Sequence, residues 1–143
     1  MVVDAERTTI GSREGAGTGL AAHLPFLEPL LVAPDEGLFL FSPTFTYLYA
    51  NDAGAAMTGD SPADLVGVSF PDRFPVAVEA GIVRSMQRAI ATGEAQHVGP
   101  FHYDDGRVAG DFEHIQVAVP DGVLVFVRRT AASSAPQNLR LRD

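Results

Sequence analysis

The chain contains no cysteine. Disulfides, thiolate metal sites and cysteine nucleophiles are therefore excluded together, a usage compatible with the cytoplasm. Positive charge is also scarce: 10 Lys and Arg stand against 18 Asp and Glu, for a net charge of −8. Phosphate backbones are held by basic surfaces, so the balance argues against a nucleic-acid partner and for simple solubility. No apolar run is long enough to cross a bilayer, so no membrane partner is expected. The most apolar early stretch, Leu20 to Ala33, is interrupted by His23, Pro25, Glu28 and Pro29. The segment before it mixes acids with arginine and lacks a basic n-region, so no signal peptide is expected. The H-E-x-x-H zinc pattern, the G-x-S-x-G nucleophile elbow and the G-K-[ST] of a phosphate loop are all missing, and no internal repeat is visible.

What remains is enough for one compact domain: 143 residues, 46% of them hydrophobic. Residues 1–19 are polar and glycine-rich and cannot bury enough apolar area to offset their ordering entropy. Residues 20–34 carry Leu20, Leu24, Leu27 and Leu31 at helical spacing, which predicts a flanking helix whose two prolines spoil the pattern and favour a split into two short turns. Residues 131–143 are polar, contain Pro136 and show no heptad pattern, and read as a linker or tail.

The organising stretch is Glu36 to Gly59, EGLFLFSPTFTYLYANDAGAAMTG. Two runs rich in aromatic and β-branched residues flank Ser42-Pro43-Thr44, which predicts a hairpin broken at the proline. Asn51-Asp52 then offers side-chain oxygens to cap a short helix that closes at Gly59. Ser61-Pro62-Ala63-Asp64 starts a second helical turn, with Ser as cap, Pro at the first position and an acid at the third. Phe70 and Phe74 stand in a proline-rich connector and are expected to plug the core. Pro75 to Gly93 predicts one long helix, striped by Val78, Ile82, Met86 and Ile90 with Val83 beside them. Three strands follow, over Glu94–Asp104, Arg107–Val119 and Val123–Val127, separated by turn signals at Asp105-Gly106 and Pro120-Asp121-Gly122. The second alternates Ile115, Val117 and Val119 against His114, Gln116 and Ala118, and the third (VLVFV) reads as a central strand covered on both faces. The expected class is α+β: a five-stranded antiparallel sheet with short helices and one long helix packed on one face.

Strand, turn, strand, N-D-A and a small helix ending in T-G resemble the opening of a PAS domain, the sensory module of bacterial signalling proteins. Ser61 to Gly67, Thr92-Gly93-Glu94 and Asp121-Gly122 are similar to the family's later landmarks, and the resemblance spans residues 35–130. It implies a sensory or regulatory module, not an enzyme, acting through a small-molecule ligand, a homodimer or a signalling output domain. It also implies adjacent first and last strands at the sheet centre. The flanking helix then either packs on the outer sheet face of its own domain or meets a partner subunit. Flavin or another chromophore bonded through a thiol is excluded by the missing cysteine. Some family members bind haem through one histidine, which makes His97 and His102 weak candidates here. Where the family carries D-[IV]-T after its last strand, this chain has Arg128-Arg129-Thr130, so the usual coupling aspartate is replaced by arginine.

The candidate site is a pocket between the long helix and the sheet, lined by Phe70, Phe74, Ile82, Met86, Ile90, Phe101 and Phe112. The same residues also suit a filled core. Asn51 is expected to tie backbone together at the strand–helix junction. The carboxylates Asp104-Asp105 suit turn chemistry, and Asp111 and Glu113 a solvated strand face, so no acid/base pair is expected. Two other functions stay open. A ligand-free dimerisation or interaction module would show a collapsed pocket and an apolar outer sheet face. A small enzyme or binding protein on a similar α+β cone would show polar residues inside the pocket.

Overall fold

The structure, a computed structural model, describes residues 19–130. The expectations for residues 1–18 and 131–143 lie outside the described residues. Helix α1 spans Leu20–Leu31 and carries both Pro25 and Pro29 without breaking. Strands β1 (Gly37–Phe41) and β2 (Tyr47–Ala50) form the expected hairpin. Phe45, expected at the start of the second strand, instead lies in the turn at φ +68° with its ring buried. Helices α2 (Asp52–Thr58), α3 (Pro62–Leu65), α4 (Phe70–Arg73), α5 (Pro75–Glu79) and α6 (Ile82–Thr92) follow, then β3 (Gln96–Asp104), β4 (Ala109–Val119) and β5 (Gly122–Arg129). The five strands form one antiparallel sheet in the order β2-β1-β5-β4-β3.

Local chemistry placed most of these elements where the residues predicted. Asn51 caps α2 by accepting from Gly54 N–H, and Gly59 ends that helix in the left-handed conformation. Ser61 and Asp64 form a reciprocal capping box at α3, with Pro62 at its first turn.

The long helix on the sheet is α6, shorter than the expected span Pro75 to Gly93, which is interrupted once. That span is divided into α5 and α6 at Ala80-Gly81, where Gly81 takes φ +90°. That value suits glycine and strains other residues, so the chain turns there rather than continuing the helix. The stripe read from every fourth residue fails for a second reason. Four residues turn a helix through about 400°, so such a stripe drifts by about 40° per step. Ile90, two such steps beyond Ile82 on α6, is accordingly 40% exposed, and Val78, on α5 across the break, is 41% exposed. The face α6 actually buries is Ile82, Val83, Ser85, Met86 and Ala89.

Two apolar clusters sandwich the sheet. Phe39 and Phe41 of β1 and Val123, Val125 and Val127 of β5 join the helices α2 to α6 in the main core. Leu38 and Leu40 of β1 and Leu124 of β5 face the other way and pack with Leu24 of α1. Cover on both faces explains why GLFLF and VLVFV are unbroken apolar runs. It also shows α1 seated on the outer sheet face of its own domain, with the Leu20 N–H donating to Asp121 Oδ2 at 2.7 Å.

Candidate functional site

Between the sheet and helices α2, α4, α5 and α6 lies a cavity of about 80 Å³, partly open to solvent, with an overwhelmingly apolar wall. Protein interiors are close-packed, so a gap of this size in a small core stands out. Phe70, Phe74, Ile82, Met86, Phe101 and Phe112 all line it. Ile90 does not: it is turned to solvent by the drift of the stripe. Reading the residues missed Phe39, Phe41, Tyr47, Met57, Tyr103 and His114, which also form the wall. The alternation of β1 and the parity of His114 with Phe112 were the signals available for them.

His97 and His102 are not brought to this space. Both are exposed on the outer face of β3. His97 Nε2 pairs with Glu113, and His102 Nδ1 with Asp111 Oδ1 at 2.9 Å. The bulge between Val98 and Phe101 settles their facing. It uses Gly99-Pro100 to restore the inward parity of Phe101, and so leaves both histidines on one side. Among the described residues no group of three His, Asp or Glu stands close enough to hold a metal ion.

The wall is electrically neutral. Burial raises the Tyr47 hydroxyl above its ordinary pKa, helped by nearby Asp60. Burial likewise raises Tyr103, whose hydroxyl donates to Asp105 Oδ2 at 2.9 Å. Burial pushes the His114 imidazole down to about 4, so the ring is uncharged at neutral pH. Phe101 stands edge-on to that ring at 5.3 Å. Asp105 is the reverse case. Burial works to raise its carboxyl, but N–H donors of Val108 and Arg107 and the Tyr103 hydroxyl outweigh it and hold the carboxyl below the usual range.

Charge is confined to the rim. Asp60 receives Arg73 at 2.6 Å and stands 3.9 Å from Arg107. Both guanidiniums lie against the Phe74 ring, at 5.8 and 5.6 Å from its centre, and Arg107 also donates to Thr58 O at 3.0 Å. This cluster joins the end of α2, α4 and the β3–β4 turn. On the opposite strand edge Arg129 covers the Phe112 ring at 4.9 Å.

Asn51 is a structural junction. It is 3% exposed and fully satisfied. Its Oδ1 accepts from Leu38 N–H at 2.9 Å and Gly54 N–H at 2.8 Å. Its Nδ2 donates to Glu36 O at 2.9 Å and to Glu28 Oε2 at 3.2 Å. Glu28 also accepts from the Tyr49 hydroxyl at 2.7 Å, which ties α1 to the hairpin. Arg128, standing at the family's coupling position, reaches Glu36 at 3.4 Å and Glu113 at 3.7 Å.

A five-stranded antiparallel sheet with an apolar space under short helices defines a PAS-like α+β fold. Residues 33–133 match the family model described as the PAS fold, and the chain belongs to that family of sensory signalling domains. No curated protein sequence matches it. Solved structures support the same fold. A domain of a sensory box sensor histidine kinase/response regulator from Geobacter sulfurreducens aligns over 80% of this chain and 100% of its own, with TM-score 0.57 and 16% identity. The photoactive yellow protein domain of the sensor histidine kinase Ppr from Rhodospirillum centenum aligns over 76% of this chain and 99% of its own, with TM-score 0.58 and 14% identity. VqmA of Vibrio cholerae, solved with ligand and DNA, aligns over 78% of this chain and 52% of its own, with TM-score 0.59 and 16% identity. No helix among the described residues is long and apolar enough to cross a membrane.

Proposed function

We propose that this chain is a cytoplasmic, non-enzymatic sensory module that binds a small molecule in the space between sheet and helices. Binding shifts the balance between two arrangements of the domain, and an output partner reads the shift. The observation that carries the reading is the unfilled space of about 80 Å³ in an otherwise packed core. It lies below the ~300–1,000 Å³ of sites for drug-sized ligands and nearer the scale that takes a benzene-sized guest. The natural ligand is therefore a single small ring or a chain of similar bulk. The test is native mass spectrometry of the protein purified from cells, beside the variant Ala77→Leu, whose larger side chain enters the space from α5. A stoichiometric extra mass in the first and not in the second supports the reading. Bare mass in both shifts the weight to the second reading.

That second reading is an interaction module assembled through α1. Phe26 and Leu30 are 81% and 84% exposed on the side of α1 away from the sheet. Apolar surface of this kind favours a homodimer.

A further inference from the structure

The hairpin of β3 and β4 outruns the rest of the sheet. The last residue of β5 paired with β4 is Arg129, opposite Phe112. Beyond it β5 adds one backbone bond, from Thr130 N–H to Asp111 O at 2.8 Å. β3 and β4 continue as a two-stranded arm through the pairs His102 with Asp111, Tyr103 with Gly110 and Asp104 with Ala109. An isolated two-stranded ribbon is marginally stable, so the position of the arm depends on what it rests against.

The tip of the arm is braced from within. Asp105 Oδ1 accepts from Arg107 N–H at 2.9 Å and from Val108 N–H at 2.7 Å, and Asp105 Oδ2 accepts from the Tyr103 hydroxyl at 2.9 Å. Asp104 Oδ1 accepts from Gly106 N–H at 2.9 Å. The tip therefore moves as one piece, and two of its side chains, Tyr103 and Val108, belong to the cavity wall.

Its fastening to the helices is slight. Among the described residues Arg107 makes the only hydrogen bond and the only ion pair from the tip to that side. Its Nη1 donates to Thr58 O at 3.0 Å, and its guanidinium lies over the Phe74 ring at 5.6 Å. Its approach to Asp60 is looser, at 3.9 Å, while Arg73 holds that carboxylate at 2.6 Å and the Thr58 hydroxyl donates to it at 3.0 Å. Exposed contacts of this kind are weak enough to break and re-form readily. The place they bridge is the open side of the cavity. Of the wall residues, Met57, Thr58, Phe101, Val108 and His114 keep partial exposure. The first two end α2 and the next two belong to the β3–β4 hairpin, and Arg107 crosses between these elements.

We infer that the β3–β4 arm is a flap on the open side of the cavity, and that Arg107 is its latch. Unlatched, the arm swings away from the end of α2 and takes Tyr103 and Val108 out of the wall. Latched, it closes the wall over a guest. Arg107 is a positioning residue and does not itself line the space. The inference rests on the ligand-binding reading above and adds the control of entry and exit.

Fluorobenzene, a benzene-sized probe, is titrated into the full chain and followed by ¹⁹F exchange spectroscopy. Ala77→Leu should abolish the bound signal, which places the probe in the cavity. A latch acts on the path and not on the bound state. Arg107→Met keeps an apolar stem over Phe74 and loses the donors. It should raise the association and dissociation rates together, each by roughly tenfold, with Kd kept within about twofold. Arg107→Lys, which keeps a donor for Thr58 O, should restore part of the slow exchange, and Arg88→Met on the exposed face of α6 should change nothing. Relaxation dispersion of the Val108 methyl groups without probe should report the swing directly and grow in Arg107→Met. Unchanged rates in Arg107→Met, with flat Val108 dispersion, overturn the inference and leave the ligand site standing. A weaker Kd with an unchanged association rate makes Arg107 a ligand contact instead of a latch and overturns it too. Absence of any bound fluorobenzene overturns the ligand-binding reading, and the Val108 dispersion then decides the flap alone: growth in Arg107→Met supports it and a flat profile overturns it.

Discussion

At the scale of single residues, two buried polar side chains do opposite things. Asn51 uses all four of its hydrogen-bonding positions, and replacing it with alanine strands Leu38 N–H, Gly54 N–H and Glu36 O together. Asn51→Ala is therefore expected to cost about 2–4 kcal/mol, read as a lower midpoint in urea unfolding with little change in slope. His114 Nδ1 has no partner among the described residues, and the effect of this side chain appears in the pH dependence. Its folded pKa is lowered from 6.5 to about 4. Between those values the unfolded chain takes up a proton that the fold refuses. Stability from this group is fully present above pH 6.5 and falls as pH drops toward 4, with a limiting slope of ~1.4 kcal/mol per pH unit. Urea unfolding at pH 5 and pH 7 should differ less in His114→Leu than in wild type. Asp105, with its carboxyl held low in the fold, adds its own loss only at more acid pH. Asn51 was legible in the sequence because capping is local chemistry. His114 was not, because a polar residue on an alternating strand is read as facing water unless the opposite face is known to be uncovered.

At the scale of elements, hairpins, caps and the α3 start were readable because each depends on three or four consecutive residues. The division of α5 from α6 was not. Gly81 sits between two stretches that share apolar residues at compatible spacing, and helical propensity alone does not mark the break. An added Cβ at Gly81 meets nothing within 4 Å, so only backbone conformation opposes it. Gly81→Ala should therefore lower stability by about 1 kcal/mol without disturbing packing. The check is thermal unfolding beside a far-UV spectrum: a lower midpoint with an unchanged spectrum is expected, and a clear gain in helix signal would mean that α5 and α6 had merged. The aromatic wall was half legible. Phe70, Phe74, Phe101 and Phe112 follow from composition, whereas Tyr47 and Tyr103 enter only once the hairpin and the β3 bulge are placed.

At the scale of the whole molecule, the order and spacing of five short landmarks pointed to the architecture, and the strand order matches the expected adjacency of β1 and β5. The role of α1 was undecided in the sequence because a leucine stripe does not say which surface it meets. Leu24 is fully buried against β1 and β5, while Phe26 and Leu30 project outward. The homodimer reading predicts that sedimentation equilibrium finds a dimer, and that Phe26→Glu with Leu30→Glu converts it to monomer with the unfolding midpoint of the isolated fold intact. A monomer in the unmodified protein would remove that reading.

Strands β1 and β5 are partitions one residue thick. Phe39 and Val125 belong to the cluster around the apolar space, and Leu38, Leu40 and Leu124, their neighbours in sequence, belong to the seat of α1. Close-packed interiors have little give, so a guest that presses on one side of such a partition must be accommodated on the other. The floor of the chamber is thus also the mounting plate of the first helix, and Glu28, gripped by Tyr49 and Asn51, pins that helix to the same plate.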